Sequence, residues 1–169
     1  MSHAVAEERP VEHGDALNQI RSAIAEAPGP DAAAQRAVEL LHDRFAHYDW
    51  VGIYWVDASG AELELGPWIG PEATEHTRIP IGVGICGAAA ASGQTEIVDD
   101  VNADPRYLAC FTTTLSEIVV PIFADGAVVG EIDIDGSDLA AYDQTDANFL
   151  EEIAALLAPL RPREAAGQG

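Results

Sequence analysis

The stretch SEIVVPIFADGAVVGEIDIDG, residues 116–136, constrains the fold more than any other. Two β-forming runs flank Asp125-Gly126, and an Asp-Gly pair in that setting is a strong hairpin signal. An antiparallel strand pair is expected. In its second run, strand alternation puts Glu131, Asp133 and Asp135 on one face and Ile132 and Ile134 on the other. The position of Glu117 depends on the turn. A two-residue loop sets it opposite Ile134, on the other face from Asp133. A three-residue loop with a bulge sets it opposite Asp135, on the same face. The sequence leaves both open. Three acids in a row usually mark a solvated face, whereas a sheet in a mixed domain can also open one face to a ligand pocket.

The rest of the chain fits around this hairpin. WVGIYWV (Trp50–Val56) and AELELG (Ala61–Gly66) read as strands joined by residues 57–60. TRIPI and TEIVDD read as two more. Helix is predicted from Asp15 to Ala27. A second helix follows Ala27–Pro30, with an apolar stripe of Ala34, Val38, Leu41 and Phe45. The last helix has Asp143 as its cap candidate and Phe149, Ile153, Leu156, Leu157 and Leu160 as its stripe. Residues 1–13 read as a flexible tail, 14–162 as one domain, and 163–169 as a frayed tail. The order of elements predicts an α+β domain, a mostly antiparallel central sheet with helices packed on one face.

A chain of 169 residues buries a core without staples, and two cysteines, Cys86 and Cys110, are too few for a disulfide framework. The formal net charge is -21, and all eight basic residues are arginine. Such a surface repels phosphate backbones and anionic lipid, so neither nucleic acid nor a membrane is an expected partner. The N-terminal residues hold no apolar h-region and no run reaches membrane-span length, which predicts a cytoplasmic protein. The histidines (His3, His13, His42, His47 and His76) show no ligand spacing with the cysteines, so no metal site and no cofactor are expected.

GVGICG, residues 82–87, fits the glycine pattern of a dinucleotide-binding turn. The helix after it is about two turns, too short for a parallel crossover, which takes a dozen or more residues. The loop then presents Cys86 at the first turn of a short helix, Ile85–Ala91. A helix N-terminus favours a thiolate there. A small buried cysteine filling a helix–sheet contact is the other reading. Cys110 lies in an irregular stretch, residues 101–115, just before a strand, where reactive groups are common.

RIPIGVGICGAAAASGQTEIVDDV, then LAC ending 24 residues after Cys86, then SEIVVP and GEIDIDG, resemble the free methionine-(R)-sulfoxide reductases, which are GAF-domain enzymes. WVGIYWV and LELGPWIG resemble that family's earlier strands. The resemblance runs from about Trp50 to Leu160 and implies a GAF-like fold. It implies that Cys110 is the cysteine that attacks the sulfoxide and that Cys86 resolves or recycles it. It also implies that Glu117, Asp133 and Asp135 hold the substrate. A homodimer and a thioredoxin-type reductant are implied as well. Two positions depart from the family pattern: His76 stands where a third cysteine is usual, and Tyr107 where a histidine is common.

The implied chemistry needs a thiolate near the sulfoxide sulfur, a proton for the departing oxygen, and a second thiol to condense with the sulfenic acid. Ionised acids bind the α-ammonium of a free amino acid, and a crowded one keeps its proton. Trp68 and Tyr54 are candidates to wall the thioether, or are core. The alternatives are a GAF small-ligand sensor without turnover and a cysteine-pair redox switch.

Overall fold

A computed structural model describes residues 2–109, 111 and 113–162. Cys110 and the segment 163–169 lie outside them. The chain forms α1 (Ser2–Glu26), α2 (Pro30–Arg44), β1 (Trp50–Val56), β2 (Glu62–Ile69), β3 (Arg78–Pro80) and α3 (Gly84–Ser92). It continues through β4 (Glu96–Val98), β5 (Ser116–Ala124), β6 (Ala127–Gly136) and α4 (Gln144–Leu157). The strands make one sheet in the order β3-β2-β1-β6-β5-β4. Every neighbouring pair is antiparallel.

Local signals set the helix limits. Pro30 opens α2 after Gly29. Asp143 caps α4 by accepting from the backbone N–H groups of Thr145 and Asp146, and the Asp146 side chain returns the bond to Asp143 N, a reciprocal capping box. Helix α1 differs from its expected start at Asp15: helical backbone extends through the segment read as a tail. Its next stretch is held by His13, which stacks on Phe149 of α4 at 4.4 Å. A flat polar composition hides that tertiary contact from a reading by period.

The long helices α1, α2 and α4 cover one sheet face. Val51 and Ile53 of β1, Ile118, Val120 and Ile122 of β5, and Ile132 and Ile134 of β6 pack there against Ile20, Val38, Leu41, Leu150 and Ile153. Each fully buried aliphatic side chain contributes about 1.5–3 kcal/mol, so this layer carries most of the fold. Short helix α3 lies on the opposite face, with Ile85, Cys86, Ala89 and Ala90 against Tyr54, Leu63, Ile79 and Val119. Among the described residues no helix is long and apolar enough to cross a membrane.

The hairpin resolves the position of Glu117 by a third arrangement. Ala124 pairs with Ala127 around a two-residue turn, with positive φ at Asp125 (53°) and Gly126 (78°). The register then shifts between Phe123, opposite Val128, and Ile122, opposite Gly130. Val129 is the extra residue of a bulge. Beyond it Glu117 stands opposite Asp135, so the short turn and the shared acid face coexist.

Candidate active site

The acids of β6 do not face solvent. Glu131 is 0% exposed, Asp133 3% and Asp135 5%, and Glu117 on β5 is 5% exposed. Helix α3 closes over them. Gly87 makes this approach possible: a Cβ there would lie 2.7 Å from the Pro80 carbonyl oxygen. That packing lowers Cys86 onto the sheet, where its thiol donates a long bond, 3.8 Å, to Glu117 Oε1. Cys86 Sγ and one oxygen each of Glu117 and Asp133 all lie within 4.8 Å of one another.

The electrostatics follow from burial. Desolvation, then the Asp133 charge, holds the Glu131 carboxyl well above the usual range, although the Cys86 thiol facing it pulls the other way. Asp135 is pushed well up by burial and by Asp133. Asp133 is raised by burial, with Glu117 and Cys86 opposing. Among the described residues neither carboxylate oxygen of Glu131, nor Asp133 Oδ1, accepts a hydrogen bond within normal distance. Four carboxyl groups crowded in one dry space do not all ionise at neutral pH, so the site stores protons.

Cys86 departs from its expected character. Its place in the first turn of α3 favours a thiolate by about 0.3–1 kcal/mol. Burial outweighs this, and together with the charges of Asp133, Glu131, Glu117 and Asp135 it pushes the thiol well above its ordinary value. In the resting state Cys86 is a thiol. It is both the buried cysteine of the bland reading and a neighbour of the acids.

A cavity of about 550 Å³ opens beside this chamber, within the range of small-molecule sites. Asp135 lines it and so joins cavity to chamber; Trp50, Phe111, Thr114, Asp49 and Ser137 form other walls. Asp49 is held in place by accepting from Ser137 N at 2.7 Å. The Trp50 indole lies flat over two glycines: a Cβ at Gly52 or at Gly70 would come within 2.3 Å of it. Among the described residues its buried Nε1 has no hydrogen-bond acceptor.

Of the residues singled out in the sequence, Cys86, Glu117, Asp133 and Asp135 converge. Cys110 falls outside the described residues, but Phe111, the next residue in the chain, lines the cavity. Trp68 stacks on Trp50 at 6.0 Å between ring centroids, one layer behind the wall. Tyr54 is 1% exposed and its hydroxyl donates to the His76 carbonyl oxygen at 2.8 Å, which ties β1 to the segment before β3. His76 is half-buried, with Nε2 3.4 Å from the carbonyl oxygen of Ala109. Sequence reasoning missed Trp50 and Asp49 as wall residues. The spacing Trp50-x-Gly52 at the start of a strand was the available signal, since a glycine two residues on leaves room for a ring to lie along the sheet.

A curled antiparallel sheet with long helices on one face and a short helix over buried side chains on the other defines a GAF domain, and the family model described as GAF domain matches residues 29–159. The chain is similar to the free methionine-R-sulfoxide reductase of Saccharomyces cerevisiae, 45% identical over 111 residues, 64% of this chain and 61% of that one. It is similar to the enzyme of the same name from Escherichia coli, 33% identical over 118 residues, 70% of this chain and 69% of that one. Among solved structures it resembles free methionine-R-sulfoxide reductase from Neisseria meningitidis in complex with its substrate. That match has a TM-score of 0.81 and 42% identity, and covers 88% of this chain and 87% of the other. The chain belongs to the GAF-domain family and, within it, to the free methionine-R-sulfoxide reductases.

Proposed function

We infer that this protein is an oxidoreductase that reduces free L-methionine (R)-sulfoxide to methionine, with Cys110 as nucleophile and Cys86 as the resolving thiol. The observation that carries this reading is the joining of a thiol, three proton-holding acids and a cavity in the small-molecule range through Asp135. The Cys110 sulfur attacks the sulfoxide sulfur while an acid of the chamber delivers a proton to the oxygen. The protonated oxygen passes to the Cys110 sulfur as the S–O bond and the transient S–S bond break; methionine leaves, and Cys110 is a sulfenic acid. The Cys86 thiol then attacks that sulfur; a disulfide forms and water departs. An external dithiol reduces the disulfide and restores both thiols.

Glu117, Asp133 and Asp135 are the proposed substrate-holding acids, and Asp49 at the wall adds to the field that draws an α-ammonium. A peptide-bound methionine lacks that ammonium, so the free amino acid is selected. Trp50, backed by Trp68, walls the thioether. We further propose a homodimer that works in the cytoplasm with a thioredoxin-type reductant; a cycle ending in a protein disulfide is what such a dithiol clears.

The test is turnover. Purified protein is given a dithiol and each epimer of free methionine sulfoxide, and methionine is followed. The (R) epimer is consumed and the (S) epimer is left. Cys110→Ser abolishes the signal and Cys86→Ser slows recycling. Methionine formation unaffected by Cys110→Ser overturns the nucleophile assignment.

A further inference from the structure

We propose that Cys86, Glu117 and Asp133, with Glu131 beside them, form a binding site for a zinc ion, and that the ion blocks turnover by filling the acid chamber. The inhibitory half rests on the reductase reading above; the binding half does not.

Two independent observations meet here. The first is the ligand set. One sulfur and two carboxylate oxygens lie within 4.8 Å of one another, with Cys86 Sγ 3.8 Å from Glu117 Oε1. Tetrahedral zinc, about 2.3 Å from sulfur and about 2.0 Å from oxygen, holds its ligands roughly 3.3–3.5 Å apart. Small side-chain rotations close the difference. The second is the set of unsatisfied oxygens. Glu131 is 0% exposed and faces the Cys86 thiol, and among the described residues neither of its oxygens accepts a hydrogen bond; Asp133 Oδ1 is in the same state at 3% exposure. Buried acceptors without a donor call for a proton or a cation. Glu131 lies beside the trio, next to the Cys86 thiol and Asp133.

The chemistry selects among cations. A thiolate in the set disfavours magnesium and calcium, which take oxygen ligands, and suits zinc. Binding is an acid–base exchange without redox change. The Cys86 thiol and the coordinating carboxylic acids release their protons to solvent as bonds to the ion form. Entry runs through the cavity by way of Asp135, which lines it and pairs with Glu117 across the strands. With the ion seated, Cys86 is no longer a free resolving thiol and the acids no longer hold protons for a sulfoxide oxygen.

The experiment uses the full chain, reduced and stripped of metal with a chelator. Co²⁺ serves as the spectroscopic probe, and Zn²⁺ is titrated against a chromophoric chelator. The expected result is one ion per chain, with a thiolate-to-cobalt charge-transfer band and tetrahedral d–d bands. The band persists in Cys110→Ser and disappears in both Cys86→Ser and Cys86→Ala, whose folding is checked by circular dichroism. Glu131→Gln and Asp133→Asn each weaken Zn²⁺ binding by about tenfold or more. Absence of the band, its persistence without Cys86, or its loss in Cys110→Ser overturns the site. Zn²⁺ is expected to inhibit methionine formation and a chelator to restore it. Binding through Cys86 in a protein that never forms methionine would sink the reductase reading and leave the metal site standing. Turnover unaffected by a bound ion would overturn the inhibitory role.

Discussion

Glu117 on β5 stands directly opposite Asp135 on β6, one residue out of the register that the turn alone would set. The shift comes from the bulge at Val129, and it decides the chemistry of the pocket. Without it Glu117 would face Ile134, among the aliphatic side chains under the long helices. With it, a fourth carboxyl joins the three of β6 and meets the Cys86 thiol. The bulge thus converts a row of acids into a chamber with a sulfur at its centre.

The crowded acids give stability a pH dependence of known sign. Glu131, Asp133 and Asp135 have folded pKa values raised above their ordinary 4.5 and 3.8. In the window that opens at those ordinary values, the folded chain holds protons the unfolded chain has lost. Stability is fully present below the window and falls as pH rises through the raised values. Glu131→Gln removes one such group. The variant should gain about 1–3 kcal/mol over the parent at pH 8 and little at pH 4.5. Thermal unfolding of both proteins across that range checks this; an equal difference at both pH values would refute it.

Cys86 should be a poor target for alkylation. Its thiol is buried and its ionisation is opposed by four carboxyl groups. At pH 7.5 iodoacetamide should label it at least about tenfold more slowly than a free cysteine, as read by peptide mass spectrometry. Asp133→Asn should speed the reaction, because one opposing charge is gone. Labelling of Cys86 at the free-cysteine rate would show that the chamber is open or its acids are elsewhere.

Gly52 is required by the indole that lies on it. A methyl group there would meet the Trp50 ring at 2.3 Å. Gly52→Ala should therefore push the indole into the cavity, costing about 1–3 kcal/mol of stability and raising KM more than it lowers kcat. Trp50→Ala should also raise KM, with the ring absent instead of displaced. Steady-state kinetics of the two variants compare these routes. A Gly52→Ala enzyme with unchanged KM would remove Trp50 from the substrate wall.

Asp146 fastens α1 and α4 far from this chemistry. It is 0% exposed, accepts from the Tyr48 hydroxyl at 2.7 Å, and has ring nitrogens of His47 and His13 at 3.6 and 3.8 Å. Burial pushes its carboxyl up, but His47, Tyr48 and the Asp143 backbone N–H outweigh this and hold it below the usual range. Its contribution is thus present above pH 3.8, the ordinary value, and fades as pH falls through the depressed one. Asp146→Ala should cost about 2–3 kcal/mol at pH 7, since it removes the carboxylate that accepts from a buried hydroxyl and breaks the capping box. Chemical denaturation measures the loss. A change below about 0.5 kcal/mol would show that the cluster is incidental.

Much of the architecture was fixed by local signals. Period-two runs and the Asp125-Gly126 turn marked the strands, and Pro30 and Asp143 marked helix starts, because backbone conformation answers to nearest neighbours along the chain. The alternation of β6 likewise placed Glu131, Asp133 and Asp135 together, since successive side chains of a strand must point opposite ways. Whether those acids meet water or one another was a different matter. That depends on a one-residue bulge, which the alternation does not mark, and on α3 bringing Cys86 against Glu117, 31 residues further along the chain. The same holds for the charge state of Cys86: its helix position argued for a thiolate, and only the packed environment, by excluding water and gathering carboxyl groups, made it a thiol.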